Sequence, residues 1–375
     1  MKRGLNLVAA AFALTALSYG LARFAYGLLL PQIRAELALD ATAAGWIGSG
    51  AFAAYCVGIV LTFVCSASFT PRTLAAFAGL TATAGMACIV VASSAWMMGA
   101  GVALAGLSTG LTSPPLASAV AAHFADEGRA KANAAINAGT AAGIVFSGAA
   151  AAMTVSAWRE LYALFALIGA AVTLWLWFAL PKARSSETTA GFSLKILRRP
   201  GLAVLCASAF AMGLSSTAIW TFGADILRGT FGLSDTGIAW AWITLGTAGV
   251  SGAATGVLIE RFGTARVHAF SLLGIVAAIL TLAASGYSLA FGFVAMGVFG
   301  AAYIMSSGTY LIQGIALLQD RPDLGLGFPF LCLALGQTAG APLFGATLDA
   351  VGVTGALFAF ALPAVVAIFL RPRVG

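Results

Sequence analysis

Twelve apolar runs, each about as long as a bilayer is thick, constrain this chain more than any other feature. They fall at about residues 5–30, 44–64, 74–93, 97–120, 132–153 and 160–180, then at about 201–223, 237–259, 267–287, 288–310, 325–348 and 354–370. A helix rises about 1.5 Å per residue, so roughly twenty residues cross the hydrocarbon core. Backbone in lipid must satisfy its own hydrogen bonds, which makes each run a helix. The expectation is an all-α membrane protein with twelve transmembrane helices in two six-helix pseudo-symmetric bundles. Residues 1–180 form the first, 181–200 a cytoplasmic central linker, and 201–375 the second. Composition excludes a soluble domain of this length, since 61% of the residues are hydrophobic and 8% charged. The thinnest division is the Gly286-Tyr287-Ser288 turn.

Charge orients the spans. With both termini cytoplasmic, alternate loops hold fifteen Lys and Arg, while the opposite loops hold Arg34, Arg159 and Arg228. That is a positive-inside pattern. The net charge of +7 then sets topology and meets anionic lipid head groups of the bilayer rather than nucleic acid. The N-terminal Met1-Lys2-Arg3 and the run after it could pass for a signal peptide. The run is long enough to span and lacks a clear small-x-small cleavage site, so it reads as an uncleaved first span. The expected location is the cytoplasmic (inner) membrane of a bacterium. Five cysteines (Cys56, Cys65, Cys88, Cys206, Cys332) stand singly in or beside apolar runs, without metal-ligand spacing. They read as small hydrophobes, and no metal or cofactor is expected.

The halves repeat. A shift of 194 aligns Arg34 with Arg228, Leu39 with Leu233, Thr42 with Thr236, Trp46 with Trp240, Gly58 with Gly252 and Arg72 with Arg266. A shift of 197 aligns Gly139, Gly143 and Gly148 with Gly336, Gly340 and Gly345. Parallel halves with glycine-faced helices suit a transporter whose bundles rock about a central site.

The turn after the eighth span, Gly256-Val257-Leu258-Ile259-Glu260-Arg261-Phe262-Gly263-Thr264-Ala265-Arg266, resembles the G-x-L-x-D-R-x-G-R-R/K loop signature of the major facilitator superfamily. The resemblance implies the major facilitator fold, a monomer, and a cytoplasmic latch formed by Glu260, Arg261 and Arg266. At the equivalent place between spans two and three only Arg72 matches, where the signature is normally best kept; Thr62, Ser66 and Ala67 depart from it. The proline that follows a glycine in the fifth span of drug/proton antiporters is absent, because Ile144 follows Gly143; Pro342 lies instead in span eleven. Trp158-Arg159-Glu160 also looks like the superfamily. Arg23-Phe24-Ala25-Tyr26 through Leu30-Pro31, with Ala44-Gly45-Trp46, looks like its YbfB/YjiJ-like branch, which implies no clear substrate.

Arg23 poses the functional question, because it lies well inside the first span. A guanidinium there costs at least about 2.5–3.5 kcal/mol, so it should face the protein and have a partner. Tyr19, Arg23 and Tyr26, spaced i, i+4, i+7, share one face of an α-helix. The 194 shift puts Thr217 opposite Arg23 and Trp220 opposite Tyr26. No carboxylate falls in the middle of a span; Asp225, past the seventh, is the nearest counter-ion or proton-carrying group. Otherwise the guanidinium must use hydroxyls, amides, carbonyls, water or an anionic ligand. Candidates include Asn137, Ser215, Ser216, Thr217, Tyr303, Ser306, Ser307, Tyr310 and Gln337. Two readings of Arg23 stand: a two-pronged contact to a substrate carboxylate, or a structural clamp on tyrosine hydroxyls and carbonyls. His123 and His268 sit at cytoplasmic ends and read as interface residues, and Trp240 and Trp242 as interface anchors.

The function expected is secondary transport of a small, carboxylate-bearing organic solute by alternating access, with a proton or an exchanged anion as co-partner. A pump for amphipathic compounds is the rival within transport. A membrane sensor or scaffold is the rival outside it, disfavoured by the short tail after the last run. An enzyme is not expected: no nucleophile–base pair, metal cluster or phosphate loop is present, and the glycine-rich segments lie within apolar spans.

Overall fold

The computed structural model describes residues 2–65, 68–153, 157–182, 196, 198–284 and 288–371. Most of the linker expected at 181–200, and Gly286 and Tyr287 of the expected turn, lie outside those residues. The first span is α1 (Lys2–Thr15), a π-helical segment (Ala16–Phe24) and α2 (Ala25–Leu37) end to end. Spans two to four are α3 (Ala41–Cys65), α4 (Pro71–Val90) and α5 (Ala95–His123). The fifth is α6 (Asp126–Asn137) with α7 (Gly139–Met153), and the sixth is α8 (Trp158–Ala179). The seventh joins α9 (Leu202–Trp220) to α10 (Gly223–Phe231). The eighth runs from α11 (Asp235–Gly249) through a 3-10 turn (Val250–Ala254) into α12 (Thr255–Phe262). Then come α13 (Thr264–Ala283), α14 (Leu289–Leu317) and α15 (Pro322–Phe369).

The 48 residues of α15 would reach about 72 Å as one rod, more than twice the hydrocarbon thickness. Gly352, at φ 74 and ψ 177, breaks it into the eleventh and twelfth spans. Boundaries elsewhere follow from caps. The Thr70, Ser94 and Ser234 hydroxyls accept the backbone N–H of Thr73, Met97 and Gly237. Gly263, in the loop resembling the family signature, turns between α12 and α13 at φ 83.

Two six-helix bundles meet along three seams: first span with seventh, second with eleventh, fifth with eighth. The repeat is visible in them. Gly139 and Gly143 lie against the carbonyls of Phe12 and Ala16 in the first span, as Gly336 and Gly340 lie against those of Phe210 and Leu214 in the seventh. One or two turns on, Gly148 crosses to Ala239 of α11 and Gly345 to Ala41 of α3. Arg34 and Arg228 are likewise matched: each carbonyl accepts the N–H of a left-handed residue four positions on, Ala38 (φ 50) and Gly232 (φ 60). Trp46 and Trp240 are both exposed, as residues facing lipid would be.

The seams are closed on the side away from the termini. A Cβ on Gly27 would overlap the Trp220 carbonyl, and one on Gly45 the Ala341 carbonyl. Gly246 of α11 sits against Ile144 and Val145 of α7. On the termini side, Lys131, Ala134, Ala135 and Asn137 of the fifth span are exposed, as are Ser251, Ala253, Ala254, Gly256 and Val257 of the eighth. These two spans therefore touch far from the termini and part near them.

Candidate functional site

The π-helical segment builds the site. Within it Gly20 faces Gly143 of α7, close enough that a Cβ would overlap the Gly143 backbone. The i→i+5 hydrogen bonding of a π-helix winds more loosely than an α-helix and alters which residues share a face. From α5, Thr109 donates to the Ser18 carbonyl at 3.1 Å and Thr112 to the Ser18 hydroxyl at 2.9 Å, tying the segment in place. The last turn then carries Arg23 to the seam between the bundles.

Arg23 is 5% exposed, and among the described residues it is the only buried side chain with a fixed charge. Its Nη2 donates to Gln337 Oε1 at 2.7 Å, a bond from the first bundle to the second. Its guanidinium carbon lies 5.0, 4.8 and 4.5 Å from the ring centroids of Phe24, Phe52 and Tyr55. Such contacts contribute on the order of 2 kcal/mol each when desolvated. Nε is buried without a hydrogen-bond partner. Gln337, fully buried on α15, spends its amide donors on Tyr303 OH at 3.1 Å and Ser216 Oγ at 3.2 Å. Arg23 is therefore held by one neutral acceptor and three ring faces, with no carboxylate partner among the described residues.

An aromatic cluster completes the site. Trp220, at the end of α9, stacks on Phe24 across the seam, with centroids 4.0 Å apart and planes 17° from parallel. Tyr303, Phe299 and Trp242 meet Trp220 edge-on at 5.1, 5.3 and 6.0 Å. Trp242 is thus fully buried rather than an interface anchor, whereas Trp240 is exposed.

The expected residues divide. Arg23, Gln337, Tyr303 and Trp220 come together. Tyr26 does not join them: its hydroxyl donates to the Ala44 carbonyl at 2.9 Å, and Phe24 takes the place against Trp220. Counting i, i+4, i+7 assumed α-helical winding, which the π-helical segment breaks. Tyr19 pairs with Ser113 at 3.1 Å, Thr217 turns its hydroxyl onto the Leu214 carbonyl, and Asn137 is exposed at the α6–α7 junction. Tyr310 belongs to another buried network, with its hydroxyl 2.8 Å from Ser208 and its ring edge-on to His268. His268 is likewise buried, 3.2 Å from the Ala367 carbonyl, not at an interface. Phe24, Phe52 and Tyr55 join the site without a signal in the sequence, since an aromatic in an apolar helix carries no mark of its own.

Asp225 is not the counter-ion of Arg23. It forms an ion pair with Arg34, the one pair joining the two halves among the described residues. Among the described residues Glu260, Arg261 and Arg266 are exposed and make no ion pair. Arg72 instead stacks on Trp177 at 4.2 Å within the first bundle. Among the described residues no three His, Cys, Asp or Glu side chains are placed to hold a metal ion.

Comparison with known proteins gives a consistent picture. The family model described as Major Facilitator Superfamily matches residues 12–223. No curated protein matches by sequence. Among solved structures, the nucleoside transporter NupG is similar at 13% identity and TM-score 0.79, covering 98% of each chain. A bacterial homolog to the human lysosomal transporter Spinster, inward-facing and unoccupied, is similar at 15% identity and TM-score 0.78, covering 98% of this chain and 96% of that one. A D-xylose-proton symporter is similar at 16% identity and TM-score 0.78, covering 97% and 96%.

Proposed function

The chain belongs to the major facilitator superfamily, a multi-pass membrane transporter and not an enzyme, and from that premise we propose that it carries a small anionic organic solute whose carboxylate binds Arg23. The observation behind this reading is the buried Arg23 guanidinium, which has one neutral acceptor, a free Nε and no carboxylate partner. Gln337 Oε1 holds the place of the anion. A carboxylate arriving there offers two oxygens to the guanidinium fork in place of one. Because Arg23 and Gln337 lie on opposite bundles, replacing their bond changes what holds the seam together. Binding and rocking are coupled in this way.

The positive-inside bias supports cytoplasmic termini in a bacterial inner membrane, and the family resemblance supports a monomer. The closed side then faces outward, and the fifth and eighth spans part toward the cytoplasm. A proton or an exchanged anion is the co-partner.

The test is thermal stabilisation of detergent-purified protein by organic anions, amino acids, sugars and cationic drugs, beside Arg23→Gln. A ligand at one hundred times its Kd stabilises by about 2.7 kcal/mol. An anion should stabilise the wild type and leave a folded Arg23→Gln unmoved. Stabilisation by cations or neutral amphiphiles alone, or an equal response from Arg23→Gln, would make Arg23 a structural clamp and the protein an efflux pump.

A further inference from the structure

Resting on that carrier reading, we propose that the solute is a monocarboxylate built on an aromatic ring, with its carboxylate on Arg23 and its ring against Trp220. Charge fixes the first part. Arg23 is the only fixed charge among the buried described residues, so one carboxylate neutralises the site. A second would enter it uncompensated, which is costly away from water.

Shape fixes the second part. At the centre of the seam the two bundles make two contacts side by side, through consecutive residues of the π-helical segment. Arg23 meets Gln337 through a polar bond, and Phe24 lies flat on Trp220. A solute that comes between the bundles there must replace both. A carboxylate replaces the Gln337 oxygen and also reaches the unpartnered Nε. A flat ring replaces Phe24 on the Trp220 face, while Tyr303 and Phe299 hold Trp220 through edge contacts. An aliphatic acid replaces only the polar contact. A polyol would set hydroxyls against ring faces that cannot pair with them.

The probes are benzoate, cyclohexanecarboxylate (equal in carbon count, not flat), phthalate and benzyl alcohol, titrated calorimetrically into the purified full chain. Benzoate should bind at least tenfold more tightly than cyclohexanecarboxylate, and phthalate and benzyl alcohol should be weaker still. Trp220→Leu should erase the preference for the flat ring, while Trp220→Phe, which also keeps the buried seam filled, should preserve it. Cyclohexanecarboxylate binding as tightly as benzoate would overturn the ring assignment, and phthalate binding as tightly would overturn the single carboxylate; with Arg23→Gln binding none of them, either result leaves the carrier reading standing. If no carboxylate binds the wild type, both fall.

Discussion

Gln337 gives its carbonyl to Arg23, and exchanging that amide for an acid tests the relation directly. In Gln337→Glu the chain supplies its own anion, so added anions should no longer raise the melting temperature; persistent stabilisation would separate the anion site from Arg23. Gln337→Leu strands a buried charge. Hydrogen bonds to charged groups contribute about 1.5–3 kcal/mol, so the unliganded protein should lose about that much in a thermal melt. Ala38 offers the opposite case. It holds φ 50 where its repeat mate is Gly232, a conformation costing a Cβ-bearing residue about 1–2 kcal/mol. Ala38→Gly should therefore raise the melting temperature, and a fall would show that the methyl packs usefully. At this scale the sequence marked what is chemically out of place: an arginine and a glutamine among apolar residues. It could not mark Phe52 and Tyr55, which cage the guanidinium, because phenylalanine and tyrosine are at home in any such helix.

The π-helical segment is the element that hid the rest of the site. Apolar periodicity is diffuse in a helix buried on most sides, so nothing in Ala16–Phe24 distinguishes π from α winding, and the face predicted from Tyr19, Arg23 and Tyr26 went to Phe24 instead. The span count, by contrast, was legible, because length and apolarity alone decide it; even the break in α15 lies at Gly352, between the two runs read there. What holds the segment is the smoothness of α7. A side chain at Gly143 would meet the Ala16 backbone, and overpacking of this kind costs typically 1–3 kcal/mol. Gly143→Val should lower the melting temperature accordingly and also weaken anion binding by moving Arg23. Unchanged affinity in a folded Gly143→Val would show that Arg23 is positioned without help from α7.

For the whole molecule the question is what keeps the far side shut. Gly45→Val places a branched side chain against the Ala341 carbonyl and should wedge that side open. Spin labels at the exposed positions Ala35 and Thr230, in a background free of native cysteines, would report a longer distance while the melt stays cooperative. The Arg34–Asp225 ion pair joins the two halves on that side. Asp225→Asn removes one of its charges, so the label distance should lengthen in that variant; an unchanged distance would exclude the pair from the seal. Much of that seal is glycine set against bare carbonyl, at Gly27, Gly45 and Gly345. Such surfaces freeze no rotamers when they meet and release none when they part. They work as dry bearings, and the carrier's turnover is then set by the few polar and aromatic contacts at its centre rather than by the length of the seam.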